Sequence, residues 1–121
     1  MQLELSTRSM DGIAVVDCHG RLIFGEESAS LRDAVRNVLT LNNQIVLNLG
    51  GVNYIDSGGL GTLVALYATA RSSGGAIKLA ALTQRVGDLL QVTKLLTVFE
   101  VFDTVEDAVA SYKQGKAAYN S

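Results

Sequence analysis

Hydrophobic and polar residues change their spacing several times along the chain, and each change predicts a different element. Leu3 and Leu5 alternate with polar neighbours, which is typical of a half-exposed strand. A Met-Asp-Gly turn at 10–12 leads into the mostly apolar run 13–20, which Gly20 is expected to close. Together these segments predict a β-hairpin.

Helical spacing begins after the hairpin. Apolar residues recur every three or four positions from Glu26 to Leu41, and again from Ser57 to Ala70, where no residue is charged. The first of these predicted helices has acids in its first turn, where the helix dipole favours them. The second helix is expected to bury one face against the sheet, formed by Leu60, Leu63, Val64 and Tyr67. Because it is apolar on nearly all sides, further apolar surface is expected to be exposed.

Short apolar runs at 45–49, 76–82 and 98–102 predict three further strands. Thr83 is expected to cap a third helix, and Thr104 with Asp107 resembles the capping box of a fourth. The resulting order β-β-α-β-α-β-α-β-α predicts an α/β fold, with one mixed sheet of four to five strands packed with four to five helices.

Length and composition narrow the class of protein. The 121 residues predict one domain over 1–121, with a core at 3–113 and a frayed tail at 114–121. A net charge of −2 without a basic block argues against nucleic-acid binding. The alternating N-terminus predicts neither a signal peptide nor an anchor, and no apolar run approaches the roughly 20 residues of a membrane span. The single Cys18, expected as a small core residue, fits a reducing compartment, so we expect a cytoplasmic protein.

Candidate chemistry is concentrated at Asp-Ser-Gly-Gly-Leu-Gly, residues 56–61, where the strand-like run gives way to the uncharged helix. Asp56 or Ser57 could cap that helix, which is worth about 1 kcal/mol, but capping explains only one of them. Gly58, Gly59 and Gly61 each lose up to ~1 kcal/mol of helix stability relative to alanine. We therefore expect a second macromolecule to approach the bare backbone.

Other kinds of site match these residues less well. A hydrolase would need a base near Ser57, and the only histidine is His19, at the expected end of a strand. Ile55 also stands where serine-hydrolase motifs have glycine. No lysine follows the glycines as in a phosphate-binding loop, although free amides at a helix start attract anions. The acids show no metal-ligand spacing, so no metal site is predicted.

Beyond these local arguments, the segment 53–82, NYIDSGGLGTLVALYATARSSGGAIKLAAL, resembles the STAS domain of bacterial anti-sigma factor antagonists. That family has an Asp-Ser-Ser/Thr-Gly-Leu-Gly motif at a helix start and a Gly-Gly turn before the next strand. The segments 18–35 and 89–111 are also similar to the family, so that the resemblance covers about 3–113.

The resemblance implies a partner switch without catalysis by this chain and without a cofactor. By position, Ser57 is the serine phosphorylated by an ATP-dependent anti-sigma factor kinase, and a metal-dependent Ser/Thr phosphatase reverses the modification. The unmodified protein would bind the anti-sigma factor and free a sigma factor. The resemblance implies the following partner-binding residues, and leaves a homodimer open: Asp56, Gly58, Gly59, Leu60, Arg21 and Glu26.

Two departures from the family pattern bear on this expectation. Gly58 replaces a second serine or threonine, which leaves Ser57 as the only hydroxyl of the motif. Ile23 replaces an aspartate of the family's partner-facing surface, and Glu26 or Glu27 is the nearest acid that could substitute for it. The alternative is a STAS module of a stress-signalling scaffold or a lipid-transport accessory, in which Ser57 would be only a cap.

Overall fold

A computed structural model describes the backbone of residues 2–120 and the side chains of residues 2–113. Within that range five strands and four α-helices alternate as predicted. The strands are β1 (Leu3–Met10), β2 (Ile13–Leu22), β3 (Gln44–Ile55), β4 (Ala76–Ala80) and β5 (Val101–Phe102). The helices are α1 (Glu26–Leu39), α2 (Ser57–Ser72), α3 (Gln84–Val92) and α4 (Val105–Asn120), with a 3-10 turn at Leu95–Thr97.

The strands form one mixed sheet in the order β1-β2-β3-β4-β5. The hairpin pair β1–β2 is antiparallel, and each later neighbour is parallel to the strand before it. Parallel strands need crossover connections, which the helices supply. The carboxyl ends of β2 and β3 therefore lie at the same edge of the sheet, and the connections to α1 and α2 leave from that edge.

Helices cover both faces of the sheet, as an α/β domain requires. One core is formed with α1, α2 and α3, whose buried side chains include Leu31, Leu63 and Leu90. A smaller core on the opposite face is formed with α4, through Val105, Ala108 and Val109. Cys18 is buried in the larger core, as expected, and burial raises the pKa of its thiol to about 12. No helix among the described residues is both long enough and apolar enough to cross a membrane.

Two predicted strands end later in the structure than expected. Gly20 lies inside β2 at φ +118°, next to an irregularity in the pairing with β3. A Cβ there would collide with the Gln2 carbonyl oxygen, so the position serves close approach of β1 rather than chain reversal. Likewise β3 does not stop at residue 49 but continues through Gly50 and Gly51 to Ile55.

The last strand is shorter than predicted. Residues 98–100 precede β5, and only Val101 and Phe102 pair with β4. Phe99 is buried in the larger core after the 3-10 turn, which explains its apolar character without strand pairing. A run of apolar residues indicates burial, but burial alone does not specify a strand.

The buried face of α2 was also predicted incorrectly in part. Leu63 is buried as expected, but Leu66 is its equal at 1% exposure, whereas Val64 is 36% exposed. Because the helix is apolar on most sides, spacing alone did not determine which stripe faces the sheet. In the structure Val64 lies on the exposed surface of α2, as Ala65 and Ala68 do.

The C-terminal prediction concerns residues 114–121. Helix α4 is assigned through Asn120, so its backbone continues over most of the segment predicted to fray. The side chains beyond Lys113 lie outside the described residues, and fraying stays a prediction. Thr104 accepts a hydrogen bond from the Asp107 amide at 3.0 Å, which confirms it as the cap of α4.

Candidate functional site

Two connections meet at the carboxyl edge of β2 and β3, and the carboxylate of Asp56 joins them. As the N-cap of α2, its Oδ1 accepts a hydrogen bond from the Gly59 amide at 2.8 Å. Both of its oxygens also lie 3.1 Å from the amide of Phe24, in the connection between β2 and α1. Its own amide donates to the Leu22 carbonyl at 3.3 Å. Asp56 thus fixes the start of α2 against the end of β2.

The same hydrogen bonds stabilise the ionised form of Asp56. Donation by the Gly59 amide, and then by the Phe24 amide, lowers the pKa of the carboxyl group below its usual value. The carboxylate is therefore engaged with backbone of its own chain. Its predicted partner contact stays a prediction, and its observed role is to position the two connections.

Ser57 is the first residue of α2 and is exposed. The cap is Asp56, and among the described residues the Ser57 hydroxyl has no hydrogen-bond partner. The ambiguity left by the sequence, in which either residue could cap, is thereby resolved. The hydroxyl stands free at the positive end of a helix dipole.

The glycines that follow do not share one cause. A Cβ on Gly58 would lie 2.5 Å from the Cβ of Phe24, and one on Gly59 would collide with the Leu22 carbonyl oxygen. Two of the three bare positions are thus required by contacts within the chain. Only Gly61 faces open space, since a Cβ added there would have no neighbouring atom within 4 Å.

Phe24 is a surface feature that sequence reasoning missed. Its side chain is 80% exposed, although its backbone is held by Asp56 and its Cβ covers Gly58. The connection is further fixed by Ser28, whose hydroxyl donates to the Ile23 carbonyl at 2.7 Å. The available signal was an aromatic residue directly before Gly25, which adopts φ +109°. A glycine with positive φ marks a tight connection, and tight connections often present exposed side chains.

A groove of about 430 Å³ runs between α1 and α2, and its lining on α2 begins at Gly58, the residue after Ser57. Its walls combine the Phe24 connection with residues of α1 and α2, of which Ser28 and Thr62 are buried. The lining residues are Phe24, Gly25, Ser28, Arg32, Gly58, Gly61, Thr62 and Ala65.

The other predicted partner-binding residues are placed differently. Glu26 is exposed in the first turn of α1, whereas Leu60 is half-buried and packs against the larger core. Arg21 is exposed near the end of β2, with its guanidinium 5.1 Å from the centre of the Tyr54 ring. The structure gathers Asp56, Gly58 and Gly59 with Phe24, and leaves Arg21 in a separate cluster with Tyr54.

The hydrolase alternative finds no support in this geometry. His19 pairs with Gly51 in the sheet. Ile55 lies four residues beyond Gly51 along β3, at about 3.3 Å per residue, so His19 lies roughly 13 Å or more from the start of α2. A general base must lie within hydrogen-bond reach of its nucleophile. Within the part of the chain that the structure describes, no group of three or more His, Cys, Asp or Glu side chains could hold a metal ion.

Comparison with known proteins places these features in a family. The STAS domain profile matches residues 4–108. A protein of Thermotoga neapolitana, named as a candidate anti-sigma factor antagonist and TM1081 homologue, is 34% identical over 67 residues, which are 55% of this chain and 59% of that protein. A Thermotoga maritima protein named as a candidate anti-sigma factor antagonist is 32% identical over 72 residues, or 60% and 64% of the two chains. The matched segments thus span about three fifths of the length of these relatives.

The fold is similar over more of the chain than these sequence matches. The crystal structure of TM1081 from Thermotoga maritima, described as a candidate anti-sigma factor antagonist, superposes with a TM-score of 0.76 at 26% identity. The superposition covers 88% of this chain and 92% of that chain.

Replacing Asp56 with asparagine should destabilise the protein by about 1–2 kcal/mol at pH 7. The substitution removes the charge of the cap and so weakens the hydrogen bonds that it accepts from two backbone amides. Because the folded-state pKa is lowered, the contribution of Asp56 is present above the unfolded pKa of about 3.9 and is lost as pH falls through the folded value. Urea unfolding at pH 7 and pH 3 should show a smaller gap between wild type and Asp56→Asn at pH 3. An equal gap at both pH values would contradict this assignment.

Alanine substitutions should distinguish the glycine that is required by packing, Gly59, from the one that faces open space, Gly61. Gly59→Ala should destabilise the protein by about 1–3 kcal/mol or more, because its Cβ meets the Leu22 backbone. Gly61→Ala, the matched control in the same helix, should stabilise it by up to ~1 kcal/mol, since the methyl group meets nothing and helix propensity improves. Thermal unfolding measures both, and a destabilised Gly61→Ala would disprove the open position of residue 61.

Proposed function

The chain belongs to the STAS domain family, and on that premise we propose that it is a non-catalytic regulatory protein whose binding is switched at Ser57. With Ser57 unmodified it binds an anti-sigma factor of the Ser/Thr kinase type, so that a sigma factor is freed. Phosphorylation of Ser57 by that kinase releases it, and a Ser/Thr phosphatase restores binding. The process takes place in the cytoplasm, where ATP is available.

One observation carries this proposal: Ser57 is exposed while its neighbour Asp56 performs the capping. A serine that capped the helix could not be modified without loss of that hydrogen bond. Here the hydroxyl is unpartnered among the described residues, so its modification leaves in place the hydrogen bonds that Asp56 accepts from backbone amides. The fold can therefore persist in both states, as a reversible switch requires.

The transfer needs no catalytic group from this chain. The Ser57 Oγ forms a bond to the γ-phosphorus of ATP as the bond to ADP breaks, and the hydroxyl proton passes to a base of the kinase. In the reverse direction, water takes the phosphoryl group and the serine hydroxyl is restored on the phosphatase.

Charge explains how one phosphate would release the partner. A phosphoserine carries about −1.5 to −2 charges at neutral pH, next to the ionised Asp56. The amides at the helix start hold such an anion in water, contributing about 0.3–2 kcal/mol. Burial of the same group in an interface without a paired cation is opposed by several kcal/mol. Since every ~1.4 kcal/mol is a tenfold change in affinity, this opposition is sufficient.

The proposed docking surface beside Ser57 is formed by exposed apolar and uncharged residues. It consists of the Phe24 side chain and the outer face of α2, on which Gly61, Val64 and Ala65 are exposed and uncharged. Gly58 and Gly59 support this surface from below through Phe24 and Leu22, and therefore contribute to it indirectly. Exposed apolar surface that is continuous with a modification site is typical of a protein interface.

Incubation of the wild-type protein with its cognate kinase and ATP should add one phosphate, and Ser57→Ala should receive none. Ser57→Ala should retain kinase binding, because it removes an exposed hydroxyl, whereas Ser57→Asp should bind roughly tenfold more weakly or worse. Intact-mass spectrometry and isothermal titration calorimetry measure the two effects. Ser72→Ala, an exposed serine at the far end of α2, is the matched control.

Labelling that persists in Ser57→Ala would disprove the modification site. Capture of transporter or scaffold subunits by the tagged protein, with no ATP-binding kinase among them, would overturn the partner class and support the STAS module without a phospho-switch.

Phe24→Ala should weaken the unmodified complex by roughly tenfold or more, since exposed aromatic anchors dominate many interfaces. The unfolding midpoint should change little, because the side chain is 80% exposed. Leu41→Ala is the matched control, since Leu41 is 90% exposed but lies beyond the opposite end of α1. If the two variants bind equally well, Phe24 does not belong to the interface.

A further inference from the structure

A second cluster of polar and aromatic side chains lies at the carboxyl edge of the sheet, apart from the Ser57 surface. The Arg21 guanidinium lies 5.1 Å from the centre of the Tyr54 ring, and the Arg85 guanidinium lies 6.0 Å from the same centre. Arg21 and Arg85 are exposed, and Tyr54 is 37% exposed. Two cations therefore converge on one accessible ring.

Three elements hold these side chains together. Arg21 pairs with Tyr54 in the register between β2 and β3, and its amide donates to the Gln2 carbonyl at 2.8 Å. Arg85 belongs to the first turn of α3, whose cap Thr83 donates to the Val52 carbonyl of β3 at 3.0 Å. The backbone of each member is thus fixed by the sheet, and the cluster does not depend on one flexible loop.

The donors of this cluster are unused by the protein. Among the described residues, neither Arg21 nor Arg85 forms an ion pair, and the Tyr54 hydroxyl has no hydrogen-bond partner. By contrast, the surface cation Arg8 is paired with Asp17 at 2.8 Å. The nearby acid Glu27 accepts a hydrogen bond from the Gln2 amide at 2.9 Å instead. The Glu27 carboxylate also interacts electrostatically with Arg21, but among the described residues it forms no ion pair with it. Two like charges beside one ring, whose donors are not taken up by an ion pair, can accept an anion.

We propose that Arg21, Tyr54 and Arg85 form a receptor for an acidic segment of a protein partner. Each guanidinium presents a planar fork of donors that matches a carboxylate, and the phenol hydroxyl adds another donor. The cluster is shallow and exposed, which suits a segment that lies across it rather than a small ligand, which needs an enclosed cavity. The position fits the general preference of α/β proteins to bind ligands at the carboxyl ends of parallel strands.

This receptor is independent of the switch at Ser57. Phosphorylation changes the charge at the start of α2, whereas the receptor uses β2, β3 and α3. The two surfaces share an edge of the sheet, so one partner could contact both.

The test uses the full chain and a blocked hexapeptide of alternating aspartate and glutamate, titrated by nitrogen-15 NMR with observation of the arginine side-chain Nε–Hε signals. The signals of Arg21 and Arg85 should shift on titration. The double variant Arg21→Gln/Arg85→Gln should bind the peptide roughly tenfold more weakly. Both arginines are exposed, so the unfolding midpoint should be unchanged.

Arg71→Gln is the matched control. Arg71 also lies over a tyrosine, 5.8 Å from the centre of the Tyr67 ring, but near the opposite end of α2. Its substitution removes one positive charge, where the double variant removes two, and the same type of contact with a tyrosine ring. It should leave peptide affinity within about twofold of wild type. Ser57→Ala should bind the peptide as wild type does, which separates failure of this proposal from failure of the switch.

Three outcomes would overturn the receptor. If Arg71→Gln lost as much binding free energy per charge removed as the double variant does, net charge, rather than the cluster, would attract the peptide. Inorganic phosphate or ADP that shifts the same signals and displaces the peptide at equal concentration would identify a small-anion site. Absence of any shift of the Arg21 and Arg85 signals would show that the cluster binds no acidic segment.

Discussion

The carboxylate of Asp56 is the contact on which the arrangement of the candidate site depends. It joins the amide of Gly59, three residues ahead, to the amide of Phe24, 32 residues behind. One side chain thereby satisfies a free amide at the start of α2 and anchors the connection between β2 and α1. Ionisation strengthens both bonds, and both bonds in turn favour ionisation. Without it, the two connections would lose their side-chain link and would be joined by the bond from the Asp56 amide to the Leu22 carbonyl and by packing of Phe24 against Gly58.

Because of this contact, capping of α2 falls to Asp56 alone, and the adjacent Ser57 takes no part in it. Because Asp56 supplies the cap, Ser57 keeps a free hydroxyl at the same helix end. Capping and modification are both favoured at a helix N-terminus, since each exploits the unpaired amides and the dipole. The two roles would be in conflict on one residue. Their separation onto neighbours would let the proposed phosphorylation change the charge of the surface while the fold stays intact.

The glycines show how packing and surface exposure can resemble each other in a sequence. Gly59 is required by the Leu22 carbonyl and Gly58 by Phe24, whereas Gly61 opens onto solvent. Glycine therefore occurs in this sequence both where the chain packs tightly and where the backbone is open to solvent. The resulting surface has the exposed Phe24 side chain at one end and the uncharged outer face of α2 behind it.

Local sequence was enough to specify the α/β class, the strand and helix order, and the cap Thr83. It also predicted a candidate site at Asp56 and Ser57, whose role stays a prediction. These features follow from periodicity and from residues that interact within one turn, so that neighbours in the chain carry the information. The same residues carried the family resemblance, which the STAS match confirms. They did not specify which stripe of α2 is buried, because that helix is apolar on most sides.

Three features became known only from the folded chain: which of Asp56 and Ser57 caps α2, what confines Gly58, and that Arg85 meets Tyr54. Each of these depends on contacts between segments that are distant in the chain or on a choice between equivalent local partners. The Phe24–Asp56 bond spans 32 residues, and no local pattern encodes such a separation. Side-chain chemistry made each contact feasible, but only the assembled sheet brought the partners within reach.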